Sequence, residues 1–423
     1  MGYKESEVGK IPVHWEIRQL SEIGEIVSGG TPNTKIEEYW NGNIPWITPK
    51  DLSGFTDRYI YSGERNITEL GLENSSAKLL PRNTVLFSSR APIGYVALAG
   101  DNLATNQGFK SIICDDKKAY PLFIYYLLKS KKNDIENIAG GSTFKEVSGK
   151  VMKEFKVQIP PLTEQKAIAN ILSTLDEKIE TNNQINEKLE EMAQALFKHW
   201  FVDFEFPNEN GKPYKSSGGE MVESELGMIP KGWKVSKLSE LITLYDSKRI
   251  PLSKNERDKR EKIYPYYGAS SLMDYVDDYI FDGVYVLLGE DGTVIDELGY
   301  PILQYVWGKF WVNNHAHVIK GKNDYSEEFV YMLLKNTNVS SAVTGAVQLK
   351  INQKNLKNLS VVIPEDTDLI KQFSGILNYQ FSIIRNNSDQ NKVLTSIRDN
   401  LLPKLMSGEI RVPLDDEVLS EKN

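Results

Sequence analysis

Hydrophobic residues in the segment 160–200 recur at alternating steps of four and three residues, which is the spacing of a long amphipathic helix. Pro160 and Pro161 end a strand-like run, and Thr163 with Glu164 can cap the helix that follows. The positions that form this stripe are Ile168, Leu172, Leu175, Ile179, Asn182, Asn186, Leu189, Ala193, Leu196 and Trp200, two of them polar. A single helix of this length cannot bury its own stripe, so the pattern predicts a partner helix.

A second stripe in the segment 364–407 supplies that partner, because it repeats the first one 205 residues later. Its members are Phe373, Leu377, Ile384, Asn387, Asn391, Leu394 and Leu401. We therefore predict two long helices that pack as an antiparallel coiled coil, with the asparagines fixing the register of the seam. Two ordinary amphipathic core helices are the alternative interpretation.

Shorter repeats show that the rest of the chain is duplicated as well. The run from Glu5 to Trp15 returns 218 residues later, and the run from Phe123 to Lys129 returns at Phe329. A period this long indicates duplicated domains related by a pseudo-twofold axis, not a solenoid. The predicted borders are a first globular domain at 1–159, helix 160–202, connector 203–224, a second globular domain at 225–363, helix 364–407 and tail 408–423.

Within each globular domain the pattern indicates short strands and one helix. Strand-like runs bounded by turn residues occupy 43–48, 84–88 and 110–113 in the first domain, and 283–288, 302–306 and 316–319 in the second. The repeated segments that begin at Phe123 and Phe329 have a helical pattern. The predicted fold class is therefore α+β, with two small mixed α/β domains in tandem separated by the long helices.

Composition narrows the class of protein further. The 423 residues include 50 Lys and Arg against 58 Asp and Glu, so the net charge is -8. A nucleic-acid-binding face would then have to be local, or its partners would have to supply part of the positive field. A single cysteine, Cys114, excludes a disulfide framework, and we expect a cytoplasmic protein because no signal-peptide or membrane-spanning pattern is found.

Common catalytic motifs are missing. The run Gly24–Thr31 has P-loop spacing but places Gly30 where the lysine must be. His315 and His317 are close in sequence, yet the sequence offers them no acidic or third histidine ligand nearby, so no metal site is predicted. Neither a nucleophile elbow nor a dinucleotide-binding glycine motif occurs. We therefore predict no catalytic residues.

Polar loops instead carry the side chains that read DNA, and they recur in both domains. Arg and Lys suit guanine, Asn and Gln suit adenine, and Ser and Thr suit bases or phosphates. The candidate contacts are Thr48, Lys50, Ser88, Ser89, Arg90, Asn106, Gln107, Thr143, Lys145, Tyr267, Ser270, Ser271, Asn313, Asn314, His315, Gln348 and Lys350. A basic stretch at 254–262 is expected to be flexible and to follow phosphates. For any single loop, plain turn chemistry is an equally good explanation.

Several motifs in combination make the chain similar to a known family. They are the paired G-x-I-P-x-x-W at Gly9 and Gly227, S-G-G-T-P at Ser28, I-P-W-I-T-P-K-D-L at Ile44, I-P-P-L-x-E-Q at Ile159, Y-Y-G-A-S-S at Tyr266, N-N-H-A-H-V at Asn313 and L-L-P-K-L-M-S-G-E-I at Leu401. Over essentially its whole length the chain resembles the specificity subunit of type I restriction–modification systems.

This resemblance implies two target-recognition domains that each read one half of a split, asymmetric site in double-stranded DNA. The long helices would set the spacer between the half-sites and dock two methyltransferase subunits, and restriction subunits would join the full complex. The resemblance also implies a non-catalytic chain without a cofactor of its own. S-adenosylmethionine, ATP and Mg²⁺ are then expected on the partner subunits.

Two other classes of function remain as alternatives. A self-contained adenine DNA methyltransferase or nuclease would need a glycine-rich cofactor loop and an N/D-P-P-Y/F tetrapeptide, and the nearest string, Ile159–Leu162, lacks both ends of that tetrapeptide. A coiled-coil bridging protein would not need two loop-rich domains of diverged sequence on repeated scaffolding.

Overall fold

The computed structural model describes residues 2–90, 92–140, 145–345 and 348–413. These residues form two compact units. Unit 1 contains the chain up to Asn182 together with the segment from Asp389 onward, and unit 2 is Asn183–Ser388. The division crosses both long helices, so each unit holds one globular domain and a stretch of each helix. The domain borders proposed from the sequence stay predictions.

The globular part of unit 1 is built from short strands. They are β1 Tyr3–Lys4, β2 Ile11–Pro12, β3 Glu16–Gln19, β4 Gly24–Ser28, β5 Trp40–Ile47, β6 Tyr59–Ile60, β7 Arg65–Ile67, β8 Val85–Phe87, β9 Val96–Ala99, β10 Ala104–Thr105, β11 Lys110–Cys114 and β12 Lys156–Ile159. A five-stranded sheet has the order β4-β11-β8-β9-β6, and a three-stranded sheet has the order β10-β5-β7. Strands β1 and β2 pair with each other, as do β3 and β12.

Short helices pack against the sheets of unit 1. They are α1 Leu20–Ile23, α2 Glu69–Glu73, α3 Pro121–Ser130, α4 Lys132–Asn137 and α5 Gly149–Glu154, with α2 on the three-stranded sheet. The interior strand β8 is buried at all three positions, which explains its uninterrupted apolar sequence. Helix α3 is apolar almost throughout because it lies between this sheet and the long helices, and its residues share one core with Val85, Leu98 and Leu172.

Unit 2 repeats this architecture. Its strands are β13 Met221–Ser224, β14 Gly227–Pro230, β15 Trp233–Lys237, β16 Ile242–Leu244, β17 Tyr264–Tyr267, β18 Leu272–Val276, β19 Phe281–Asp282, β20 Tyr285–Gly289, β21 Leu303–Val306, β22 Lys309–Val312, β23 Ala316–Gly321, β24 Val343–Thr344, β25 Lys350–Ile351 and β26 Ser360–Pro364. Its two four-stranded sheets have the orders β16-β23-β20-β21 and β18-β17-β22-β19. The shorter helices are α7 Leu238–Leu241, α8 Lys254–Asp258, α9 Glu327–Lys335 and α10 Gln353–Asn358.

A parallel strand pair marks the same place in both units. In unit 1 it joins β5 to β10, and in unit 2 it joins β17 to β22. Each pair places the end of one strand beside the start of a polar loop. The strands and helices predicted in the globular domains are confirmed within a few residues.

The two long helices are α6, Leu162–Phe197, and α11, Asp368–Ser407. Helix α6 continues into a π-helical turn at Lys198–Val202. Pro364, which the sequence analysis placed at the start of the second helix, is the last residue of β26, and the helix starts at Asp368. Among the helices of the described residues, none is both long enough and apolar enough to span a bilayer.

In unit 1 the helices run antiparallel along the predicted seam. Asn182 Nδ2 donates to Asn391 Oδ1 at 2.8 Å, and Arg398 pairs with Asp176 at 2.7 Å. In unit 2 Asn387 Nδ2 donates to Asn186 Oδ1 at 3.0 Å, so seam asparagines face each other there too. All the predicted seam residues are buried or half-buried. The asparagine contacts restrict the register because a shift of either helix would leave these amides without their partners.

Aromatic packing at the end of α6 was not foreseen from the sequence. Phe197 and Phe201 lie within 5.8 and 4.9 Å of the Phe373 ring, respectively, measured between centroids. The segment predicted as an exposed connector also takes part, because Phe206 stacks on Trp233 at 5.2 Å. Its Pro, Gly and Ser content correctly indicated turns, yet its aromatic residues anchor it to unit 2.

Candidate nucleic-acid interface

Backbone hydrogen bonds bring the polar loops of unit 1 together at one edge. The amide of Asn106 donates to Ile47 O at 3.0 Å, which ties the loop after β10 to the loop after β5. The amide of Ser89 donates to Gly108 O at 2.7 Å, and the amide of Val147 donates to Ser89 O at 2.8 Å. Four segments distant in sequence therefore meet at one surface.

Side-chain bonds shape the individual loops of unit 1. Asp51 accepts from the Thr48 amide at 2.7 Å and from the Thr48 hydroxyl at 2.6 Å, and it closes a turn at the end of β5. Asn106 Oδ1 accepts from the Gly108 amide at 2.8 Å. These polar residues hold backbone geometry in addition to offering their remaining atoms to a ligand.

Exposure divides the candidate contacts of unit 1. Lys50, Arg90, Gln107 and Lys145 are exposed, and Thr48 and Asn106 are half-buried. Thr143 lies outside the described residues.

Ser88 and Ser89 belong to a different group, because both are fully buried. The Ser88 hydroxyl donates to Pro92 O at 2.8 Å, and the Ser89 hydroxyl donates to Gly108 O at 3.1 Å. With their hydroxyls bonded inside the protein, Ser88 and Ser89 shape the loops, and the prediction that they contact DNA is wrong.

Two exposed candidate cations of unit 1 have acidic neighbours. Lys50 pairs with Glu64 at 2.7 Å, and Arg90 pairs with Glu146 at 3.0 Å. Lys110 lies beneath the loops, 3.8 Å from Glu146, and burial lowers the pKa of its amine. Exposed ion pairs of this kind are weak, so a phosphate can replace the carboxylate partner at little cost.

Unit 2 assembles its loops with the same backbone bonds. The amide of Asn313 donates to Tyr267 O at 3.1 Å, as Asn106 does to Ile47 in unit 1. The amide of Glu290 donates to His315 O at 2.8 Å, and the amide of Ile351 donates to Glu290 O at 2.9 Å. Asn313, Glu290 and His315 thus correspond to Asn106, Ser89 and Gly108.

Most candidate contacts of unit 2 are exposed. They are Ser270, Ser271, Asn314, His315, Gln348 and Lys350. Tyr267 is half-buried, and burial raises the pKa of its phenol to about 12. Asn313 is buried, with Oδ1 accepting from the His315 amide at 2.8 Å and Nδ2 lying 3.4 Å from Met273 Sδ. Asn313 therefore shapes its loop as well, and it is not among the proposed contacts.

A buried polar network supports the loops of unit 2. His317 Nδ1 lies 2.6 Å from Asp246, and its Nε2 lies 2.8 Å from Ile351 O. Arg249 bonds to Glu290 at 2.8 Å. Burial acts to raise the pKa of Asp246, but hydrogen bonds from His317 and the Val318 amide outweigh it and lower that pKa.

This network contains a possible donor set for a metal, since ligand atoms of Asp246, Glu290 and His317 lie within 4.8 Å of one another. The chemistry of the set does not fit a metal ion. Both imidazole nitrogens already have protein partners, and the Arg249 guanidinium supplies the positive charge between the carboxylates. Sequence analysis missed the acidic neighbours of His317 because Asp246 is 71 residues away.

The basic stretch at 254–262 is not the open, flexible segment expected from the sequence. Its first five residues form the short helix α8, which Ser253 and Glu256 cap. Arg257 and Lys262 pair with Asp274 at 3.1 and 3.0 Å. The hydrogen bond from Lys262 contributes most to lowering the pKa of Asp274 to about 2. The ion pairs hold these cations against β18.

Comparison with known proteins supports two domains of the same family in this chain. The family model for the type I restriction modification DNA specificity domain matches residues 12–191 and 230–394. The chain belongs to this family, which comprises the specificity subunits, the non-catalytic components of type I restriction–modification systems.

Individual relatives span most of the chain. The MjaIX specificity subunit of Methanocaldococcus jannaschii is 36% identical, over 97% of this chain and 96% of the relative. The HindI specificity subunit of Haemophilus influenzae is 23% identical over 87% of this chain and 94% of the relative. The crystal structure of a type I S subunit from M. genitalium has the same fold, with a TM-score of 0.57, 20% identity and coverage of 93% of this chain and 96% of that one.

Proposed function

We propose that unit 1 and unit 2 each read one half of a bipartite, asymmetric sequence in double-stranded DNA. The observation that carries this proposal is the recurrence of one loop arrangement on different side chains. Backbone bonds place Asn106 and Asn313 identically, while the exposed residues beside them differ. A shared scaffold with different exposed polar groups is suited to reading two different sequences.

In this proposal the base-reading or phosphate-binding side chains are those that remain exposed or half-buried. In unit 1 they are Thr48, Lys50, Arg90, Asn106, Gln107 and Lys145, and in unit 2 they are Tyr267, Ser270, Ser271, Asn314, His315, Gln348 and Lys350. The net charge of -8 is unusual for a DNA-binding chain. Partner subunits therefore supply much of the phosphate contact.

The proposed partners are two methyltransferase subunits that dock on the long helices, with restriction subunits in the full complex. Exposed apolar residues on these helices recur at the 205-residue repeat and support this docking. Ile171 and Ile376 are 38% and 37% exposed, and Met192 and Ile397 are 59% and 42% exposed. Equivalent apolar positions in the two halves suit two copies of one partner.

Chemistry and energy then come from these partners in the cytoplasm. S-adenosylmethionine belongs to the methyltransferase, and ATP with Mg²⁺ belongs to the restriction subunits. This chain contributes sequence recognition and the spacing between the half-sites.

The test compares the purified chain with the reconstituted complex. The chain alone is expected to transfer no labelled methyl group to DNA, to cut no DNA and to bind DNA without strong preference. With its methyltransferase partner it should mark one bipartite motif that single-molecule methylome sequencing can determine. Methyl transfer by the pure chain would contradict the assignment, and so would a complex that marks DNA without a motif.

A further inference from the structure

A pocket of about 480 Å³ opens among the loops of unit 1 that are proposed to face DNA. Pro49, Pro92 and Tyr95 form apolar parts of its wall. Lys50 and Arg90, both exposed, also line it. The pocket is therefore a cleft with flat apolar surfaces and cationic side chains, set within an otherwise polar surface.

The common scaffold does not require this pocket. In unit 2 the corresponding gap lies between Gly268 and Asn313, which occupy the places of Thr48 and Asn106. The side chain of Met273 lies over that gap, with Sδ 3.4 Å from Asn313 Nδ2 and so close to Gly268 that a side chain at this position would clash with it. Among the described residues of unit 2, one apolar side chain thus occupies the space that is open in unit 1.

Hydrogen-bond donors predominate in the cleft. Asn106 Oδ1 is used by the Gly108 amide, and Gln107 Oε1 accepts from the Thr31 hydroxyl. Among the described residues, no acceptor takes the amide nitrogens of Asn106 or Gln107. A ligand that presents carbonyl oxygens can use these nitrogens together with the Arg90 guanidinium.

Base edges in an intact duplex are read by side chains that project into a groove. A concave cleft receives little from such edges, whereas a base that has left the stack presents a flat face and its Watson–Crick edge. Flat apolar and aromatic surfaces stabilise such a base by stacking, and donors bind its carbonyl groups. Thymine has two ring carbonyls and an apolar methyl group, which match donors beside proline and tyrosine.

We propose that this cleft holds a thymine of the first half-site that has turned out of the duplex. The proposal rests on DNA reading by unit 1 and extends it. The site would read that position by capture of the base, while the other positions of the half-site are read in the groove. The equivalent place in unit 2, covered by Met273, would hold no extrahelical base.

The experiment uses the complex with its methyltransferase partner on its own motif. Each base pair of the motif is replaced in turn by a mismatch, because a weakened pair lowers the cost of turning the base out. Wild-type complex should bind about tenfold more tightly when the captured thymine is mispaired. A fluorescent thymine analogue at that position should brighten on binding.

Variants of the cleft separate it from other causes. Ser53 is exposed and lines the cleft, and Ser53→Phe should fill it and abolish both the mismatch gain and the fluorescence change. Tyr95→Ala should reduce both effects, and Tyr95→Phe should keep them. The matched control is Ser62→Phe, at an exposed serine outside the cleft lining, which should leave both unchanged.

The outcomes distinguish this inference from the proposed function. If the Ser53→Phe complex still binds mismatched DNA more tightly, the extrahelical base is held by the methyltransferase. That result would overturn the cleft assignment. The assignment would also be overturned if only mispaired purines strengthened binding, or if no mismatch in the first half-site did. In these cases motif-specific methylation would continue, whereas loss of the motif in the wild-type complex would contradict the proposed function itself.

Discussion

The residues directly beneath the polar loops, which form the floor of each interface, differ between the two units. The backbone hydrogen bonds of the loops above them are the same. In unit 2 this floor is the ionic network of Asp246, Glu290 and His317, and the equivalent residues in unit 1 are Ser28, Ser89 and Lys110. The scaffold therefore does not require any particular interior chemistry. The loops lie over a histidine–carboxylate network in unit 2 and over buried Ser89 and Lys110 in unit 1, so different interior residues can support the same loop backbone.

The strongest test of this comparison is to remove one unit altogether. A fragment that ends near Pro207 keeps the first domain and leaves the stripe of α6 bare. It should dimerise, because Asn182 and Asn186 recur as Asn387 and Asn391 and keep the register compatible. With the methyltransferase it should mark a palindrome made from the first half-site, whereas the full chain marks an asymmetric site.

An ion pair in unit 2 supports this dimer. Glu190 accepts from Tyr331 at 2.9 Å and binds Lys335 at 2.5 Å, and the first domain carries Tyr125 and Lys129 at the equivalent places. In a dimer of first halves Glu190 would meet these residues of the other copy, so Glu190→Lys should weaken the dimer. Sedimentation and methylome sequencing measure the results. A monomeric fragment, or one that still marks the asymmetric site, would argue against a shared scaffold.

The next largest effect is expected in the network of unit 2. Asp246→Ala leaves the buried His317 ring and the Val318 amide without the carboxylate that bonds them, so it should lower the free energy of unfolding of unit 2 by about 3–5 kcal/mol. Ser28→Ala, at the equivalent position of unit 1, should change it by less than about 0.5 kcal/mol. Hydrogen exchange measured by peptide reports each unit separately. Equal effects in the two units would contradict the difference in their floors.

Low pH, like the Asp246→Ala substitution, should destabilise unit 2 through Asp246. Because hydrogen bonds lower the pKa of Asp246 below its ordinary 3.8, its carboxylate contributes stability above that pH. This contribution is lost as the pH falls through the lower, folded-state pKa, and Asp246→Asn should remove that part of the pH dependence. Hydrogen exchange of unit 2 at a series of acidic pH values measures it, and an unchanged profile in the variant would refute this role.

Single substitutions in the loops should have smaller and one-sided effects. Gln107→Ala or Arg90→Ala should relax only the first half-site, and Asn314→Ala or His315→Ala only the second. A lost bidentate contact costs about 1–3 kcal/mol of discrimination, which methylome sequencing detects as a degenerate position. Ser217→Ala in the connector serves as a control. If a substitution in unit 1 changed both half-sites, separate reading by the units would be wrong.

The smallest effect concerns spacing alone. Insertion of seven residues near Asn182 and seven near Asn387 adds one heptad to each helix, or about 10 Å at ~1.5 Å per residue. The gap between half-sites should grow by about three base pairs at ~3.4 Å each, with both half-sites unchanged. Methylome sequencing reads the gap directly. An unchanged gap would show that the helices do not set the spacing.

Features with local sequence signals were predictable. Heptad spacing predicted α6, α11 and their facing asparagines, and runs of β-branched residues predicted the main strands. The internal repeat predicted loops at matching places in both domains. These features depend on periodicity or on duplication, which a single sequence contains.

Features that depend on the path of the chain through space were not predictable. Ser88 and Asn313 look like exposed loop residues in the sequence, yet both are buried where segments distant in sequence meet, with Ser88 bridged to Phe109 and the Asn313 amide bonded to Tyr267 O. Asp246 meets His317 only because β16 pairs with β23. The cleft beside Tyr95 likewise depends on how loops from three strands come together.

The contact between the two ends of the chain has a consequence for its synthesis. The Tyr3 hydroxyl donates a hydrogen bond to Gly408 O at 3.0 Å. Leu405 and Met406 lie in the core that contains Trp15. Unit 2 is one continuous stretch, Asn183–Ser388, but unit 1 needs the segment that begins at Asp389. That segment leaves the ribosome about 200 residues after Asn182, or roughly 10–40 s later at ~5–20 residues per second. The second unit to be translated should therefore be the first to complete its core, and nascent chains stalled after residue 388 should expose the first unit to proteases and chaperones.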